Sequence, residues 1–135
     1  MRSQGAGWQI VNHCLRVTKV RIQGGKAHQR DYAQKTVAWC LKRLKLDTLR
    51  TLDLDVRLKP LDDCCGWCKP QGESNRAFQI VIGTNQTLRN FVMTVVHEMI
   101  HVKQYARGEW LMDGEPEAWG TQEILTDELW KGDVL

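Results

Sequence analysis

The chain has 135 residues, 42% hydrophobic and 26% charged, which is the size and balance of one globular domain built on one core. Nineteen basic and 16 acidic residues leave a net charge of only +3, so the basic residues gathered before Pro60 read as solvated surface and nucleic-acid binding is weakly supported. No run approaches the roughly 18 apolar residues of a membrane span, the start Met1-Arg2-Ser3-Gln4-Gly5 has no apolar signal core, and five cysteines are an odd number that argues against a complete disulfide framework; the expectation is a cytoplasmic, monomeric protein.

In chain order, residues 8–22 mix Val, Ile and Leu with polar residues and fit one strand or a short helix, stopped at Gly24-Gly25. Asp31 has the character of an N-cap, and Ala33, Val37, Ala38, Leu41 and Leu44 then recur at helical spacing, which predicts an amphipathic helix over 32–45. Leu52, Leu54, Val56 and Leu58 alternate with Asp53, Asp55 and Arg57 as in a half-buried strand. Residues 59–75 carry prolines, glycines and three cysteines and read as a long loop. The run Ala77-Phe78-Gln79-Ile80-Val81-Ile82 reads as a strand ending at Gly83. Thr84 or Asn85 can cap a helix over 86–106 with Gly108 past its end, and Asp113 can cap a last helix to about Lys131. Pro116 fits a first turn, where amides have no helical partner to lose. The order is that of an α+β domain, with a small, mostly antiparallel sheet and helices on one side of it.

The strongest chemical signal is His97-Glu98-Met99-Ile100-His101. On a helix, positions i and i+4 share a face about 6 Å apart, so two imidazoles can grip one Zn2+ ion. Glu98 is turned about 100° from His97 and can take a proton from a metal-bound water and pass it to a leaving amine. Phe91 to Val96 before the motif and Val102 after it make the helix apolar nearly all round, as in a helix buried in a domain. Two histidines and a glutamate there need partners or a metal; a pair of hydrogen-bonded core histidines is the plainer alternative. A catalytic zinc has three protein ligands and one water. The metzincin extension is excluded, because Gln104 and Arg107 stand where glycine and histidine are required, and no histidine follows His101. A carboxylate is then the natural third ligand. Glu115 shares a helix stripe with Ala118, Trp119, Gln122, Leu125 and Leu129, whereas Glu117 sits with Gly120, Thr121 and Glu128 on a polar face. Glu115 is preferred, and Glu117 is the alternative, its simpler reading being a first-turn charge.

The helix motif followed by Glu115-Pro116-Glu117-Ala118 resembles the gluzincin pattern of zinc peptidases. Met99 and His101-Val102-Lys103-Gln104-Tyr105 are similar to the phage-type SprT-like metallopeptidases, and the compact size is similar to the minigluzincins. The likeness covers residues 77–122 well and the first half loosely. It implies a zincin-like single domain, a metalloendopeptidase acting on peptide or protein substrates, with metal ligands His97, His101 and Glu115 and Glu98 as catalytic base. It also implies that residues 78–82 form the sheet edge to which an extended substrate adds, and that a Tyr or His steadies the oxyanion. Tyr105, one turn past His101, is a candidate, with core packing as its other reading.

Cys64-Cys65-Gly66-Trp67-Cys68 holds one Cys-x-x-Cys pair. Half a zinc ribbon has this spacing, and Cys14 and Cys40 would have to join it to make a second, structural site; a disulfide or buried thiols are alternatives. Trp110, Trp119 and Trp130 read as packing residues, and Trp67 can line a cleft. A catalytically silent zinc-binding scaffold and a nucleic-acid-associated module are the rivals to an active peptidase.

Overall fold

The computed structural model describes residues 7–13, 16–49, 51–109 and 115–135. Strands β1 (Gly7–His13) and β2 (Arg16–Gly24) form a hairpin, so the segment that admitted one strand or a helix is two strands. Helix α1 (Ala27–Arg43) follows, then β3 (Leu52–Lys59), β4 (Gly66–Pro70), β5 (Ala77–Gly83), α2 (Leu88–Arg107) and α3 (Glu115–Lys131). Among the described residues, no helix is long and apolar enough to cross a membrane.

The five strands lie in the order β1-β2-β3-β5-β4. The expectation of a mostly antiparallel sheet is corrected here. The two outer pairings are antiparallel, but β2 with β3 and β3 with β5 run parallel. Chain connectivity explains this. Helix α1 carries the chain back between β2 and β3, as parallel neighbours require, and β4 runs out along the edge so that β5 returns beside β3 in the same direction. The loop expected over 59–75 therefore contains a strand. Its consequence reverses a second expectation: β5, with residues 78–82, is an interior strand, and β4 is the edge.

The first helix begins at Ala27, before Asp31. Gln29 Oε1 accepts the Lys26 N–H at 2.9 Å, half of a capping-box exchange. The added turn is exposed and leaves no apolar period to read. Helix α2 is capped by Thr87, whose hydroxyl accepts from Asn90 N–H at 3.2 Å, and it stops at Gly108 in the left-handed conformation, φ 68°. Asp113, the expected cap of α3, lies outside the described residues, as do Cys14 and Trp110.

One face of the sheet packs under the helices. Leu52, Leu54, Val56 and Leu58 of β3 and Phe78, Ile80 and Ile82 of β5 join Ala33, Val37, Cys40 and Leu41 of α1 in one core. Phe91, Val92, Val95, Val96, Met99, Ile100 and Val102 of α2 complete it. Helix α2 is buried along nearly its whole length, as its all-round apolar character requires. Helix α3 contributes Ala118, Leu125 and Leu129. It is also tied to α1 by Arg43, whose guanidinium donates to both Glu128 oxygens at 2.8 and 3.2 Å. At its other end the first turn of α3 lies against the histidine face of α2.

Candidate metal centre

The i, i+4 spacing does what helix geometry demands. His97 and His101 project from the same face of α2, their rings edge to face with centroids 4.8 Å apart. Both are buried. Glu115, the first residue of α3, closes the group: its Oε1 lies 3.0 Å from His97 Nε2 and its Oε2 lies 3.2 Å from His101 Nε2. The candidate ligand atoms of these three residues all fall within 4.8 Å of one another. Ligand bonds of about 2.0 Å in a tetrahedron would place neighbouring ligand atoms about 3.3 Å apart, close to the distances found.

The other ring nitrogens fix the tautomers. His97 Nδ1 meets Gln122 Oε1 at 2.8 Å and His101 Nδ1 meets Gln104 Oε1 at 2.8 Å. With the amide orientations assigned this way, each carbonyl oxygen accepts, so each Nδ1 carries the hydrogen and each Nε2 of a neutral ring points its lone pair toward Glu115. Burial lowers the His97 pKa, and the neighbouring His101 lowers it too, although Gln122 and Glu115 pull it back. A neutral imidazole lone pair facing a carboxylate oxygen at 3.0 Å is two acceptors in contact, an arrangement that a cation between them satisfies. The donor set therefore fits zinc: two imidazoles and one carboxylate, with room for a fourth ligand.

Glu117 does not converge with the histidines. Its Oε1 accepts from Gln104 Nε2 and its Oε2 from Lys103 Nζ, each at 2.8 Å. These bonds, the Lys103 contact first, hold its carboxyl below the usual range. Glu117 thus steadies Gln104, which steadies His101. The choice between the two glutamates falls to Glu115, and Glu117 is more than a first-turn charge.

Glu98 stands beside the group, 4% exposed. Burial, followed by the charge of Glu115, pushes its pKa up to about 8. Its Oε1 is buried and has no hydrogen-bond partner among the described residues, which is costly unless something arrives to bind it. The edge strand comes close to it at Gly66. A Cβ built there would lie 2.7 Å from the Val81 carbonyl oxygen, 2.8 Å from Thr94 Cγ2 and 3.5 Å from Glu98 Oε2, so only glycine lets β4 dock this tightly on α2.

A cleft of about 780 Å³ opens over these residues. It runs along α2 from Asn90 and Met93 to Tyr105, with β4 on one side and Glu115, Trp119 and Gln122 of α3 on the other. Tyr105 both lines it and packs on Phe78, ring centroids 5.9 Å apart. Trp67 lines it as the sequence allowed. Trp119 corrects the packing assignment: it is 64% exposed, standing at the cleft with its ring 5.1 Å from that of His97. Trp130 is also exposed, at 39%, under Arg89.

Among the described residues, His97, His101 and Glu115 are the one cluster of three His, Cys, Asp or Glu side chains with converging ligand atoms. Cys40 is sealed in the core, where burial pushes its thiol far up; Cys64 and Cys65 just precede β4 and Cys68 lies within it. Sequence reasoning missed Gln104 and Gln122 as orienting groups. The signal was present, since Gln104 is one turn from His101 and Gln122 is two turns from Glu115 on the same stripe.

The chain matches no protein-family model and no curated protein.

Proposed function

We propose that this protein is a zinc metallopeptidase of gluzincin type, with a zincin-like fold, hydrolysing peptide bonds in protein or peptide substrates. The observation that carries the reading is the convergence of His97, His101 and Glu115 beside a buried Glu98 whose Oε1 has no hydrogen-bond partner among the described residues. Zinc held by those three side chains would polarise a scissile carbonyl and make water acidic near neutral pH.

The chain's own residues supply the rest. Glu98 Oε1, with no hydrogen-bond partner among the described residues, accepts the proton of the attacking water and then delivers it to the departing amine. Its raised pKa makes it a carboxyl that can hold that proton between the two steps. The glutamines keep both imidazoles in one tautomer and one orientation. Strand β4 is paired on one side with β5, and its outer edge faces a substrate that can add as one more strand, which positions a peptide through its backbone. Trp67 and Trp119 give apolar walls for the side chains next to the scissile bond. Tyr105 offers a phenol at the far end of the cleft, where it can donate to a developing oxyanion.

The test is cleavage of a pool of unstructured peptides by the zinc-loaded protein and by zinc-loaded Glu98→Gln. Cleavage by the wild type alone is expected. An inert wild type with one zinc bound, or equal cleavage by both proteins, would overturn the proposal.

A further inference from the structure

The proposed chemistry makes no use of the three thiols in and just before β4, yet Cys64, Cys65 and Cys68 all line the cleft that holds Glu98 and the metal group. They are not equivalent. Cys64 and Cys65 are exposed, whereas Cys68 is partly covered; burial, reinforced by the charge of Glu98, holds its thiol protonated. The backbone under the exposed pair is anchored. The Cys65 carbonyl accepts from Gly83 N–H at 2.7 Å and from Gln86 Nε2 at 3.4 Å, so a group attached there stays at the cleft. Three steps of extended chain separate Cys65 from Cys68 by about 10 Å, beyond the roughly 7 Å Cα limit for a disulfide. While β4 pairs with β5, Cys68 is unable to displace a group from Cys65.

We infer that Cys64 and Cys65 form a thiol gate: they are a site of mixed-disulfide formation with low-molecular-weight disulfides, and the adduct closes the cleft to peptide. The inference rests on reading the cleft as a peptidase site. In the step, a cysteine gives up its proton and its sulfur attacks one sulfur of the reagent. The reagent's S–S bond breaks, a new S–S bond forms to the protein, and the other half leaves as a thiol carrying a proton. The cysteine is oxidised and the leaving half is reduced. A cleft of about 780 Å³ has room for an adduct the size of a tripeptide.

The experiment treats the zinc-loaded full chain with glutathione disulfide. Adducts are located by intact mass and peptide mapping. Zinc release to a chromogenic chelator and peptide cleavage are measured before and after treatment. The expected result is adducts confined to Cys64 and Cys65, with zinc release and cleavage each slowed severalfold and both restored by a phosphine reductant. In the double variant Cys64→Ser, Cys65→Ser, treatment should change neither rate relative to that variant's own starting value. Absence of adducts, adducts on Cys68 instead, or adducts on Cys64 and Cys65 that leave zinc release unchanged would each overturn the gate. The mass and zinc-release measurements need no turnover, so a protein that never cleaves peptide refutes the peptidase reading while these two arms still decide the gate.

Discussion

Glu98 should make the metal-free protein less stable as pH rises, and that contribution to the slope should vanish in Glu98→Gln. The carboxyl has an ordinary pKa of 4.5 and about 8 in the fold. Between those values the folded chain keeps a proton that the unfolded chain has lost, so stability falls as pH climbs from about 4.5 to about 8. At 1.36 kcal/mol per pH unit the loss reaches about 3 kcal/mol by pH 7 and about 5 kcal/mol above pH 8. That is a large share of the 5–15 kcal/mol that typically holds a domain together. His97 titrates in the opposite sense: its lowered pKa costs stability as pH falls through its ordinary range, so the difference between wild type and variant isolates Glu98. The assay is urea unfolding of the two chelator-treated proteins at several pH values between 5 and 9. Glutamine should gain relative to wild type as pH rises, and zinc, a dication beside the carboxylate, should flatten the wild-type slope. Parallel curves for the two proteins would refute the account of Glu98 as a carboxyl kept protonated by burial.

Removing Glu115 as Glu115→Ala should weaken zinc binding far more than Glu117→Ala, read by chelator competition, with Glu117→Ala limited to the roughly 10–100-fold of an outer hydrogen-bond partner; the reverse order would reassign the ligand. Gln122→Leu should likewise lower zinc affinity by about 10–100-fold while shifting the melting temperature little, and an unchanged affinity would show that His97 needs no orienting amide. Trp119→Ala should change stability by no more than about 0.5 kcal/mol, as for an exposed position, yet raise KM for peptides; an unaltered KM would remove Trp119 from the substrate wall. Gly66→Val should cost roughly 2 kcal/mol or more through overpacking against Val81 and Thr94, and a melt superimposable on that of wild type would mean that β4 does not dock on α2 as described.

Much of the site was legible because its geometry is local. The i, i+4 histidines and the stripe of Glu115 follow from helical periodicity alone, and α2 is buried for the reason its apolar circumference gives. Strand β4 was hidden because Gly66, Cys68, Lys69 and Pro70 have little strand preference. Its burial is only partial throughout, so it has no alternating pattern, and its pairing depends on β5, residues away in sequence. That one omission also misplaced the edge of the sheet. Trp119 reads as a packing residue because a helical stripe gives direction without depth: within one stripe Ala118 and Leu125 are buried in the core while Trp119, about 100° round from Ala118, stands at the cleft. The parallel pairings were invisible for a similar reason, since alternation within β3 says which face is buried and nothing of the neighbour's direction.

The electrostatics of the group follow from its use of amides. A metal-bound histidine commonly donates its second N–H to a carboxylate, which makes the ring a stronger base. Here both meet glutamine, and Glu117, the outer carboxylate bonded to Gln104 among the described residues, is matched by Lys103 at 2.8 Å. The amides fix the tautomers without adding charge. What remains inside is two imidazoles and the carboxyls of Glu115 and Glu98, so a dication would be balanced by the two carboxyls when both are ionised. Without a dication, burial first and the charge of Glu115 second push the Glu98 pKa up. On the proposed mechanism, the carboxyl that burial pushes toward protonation is the one a bound cation would return to its ionised form, and a carboxylate in place of Gln104 or Gln122 would disturb that balance by a full negative charge.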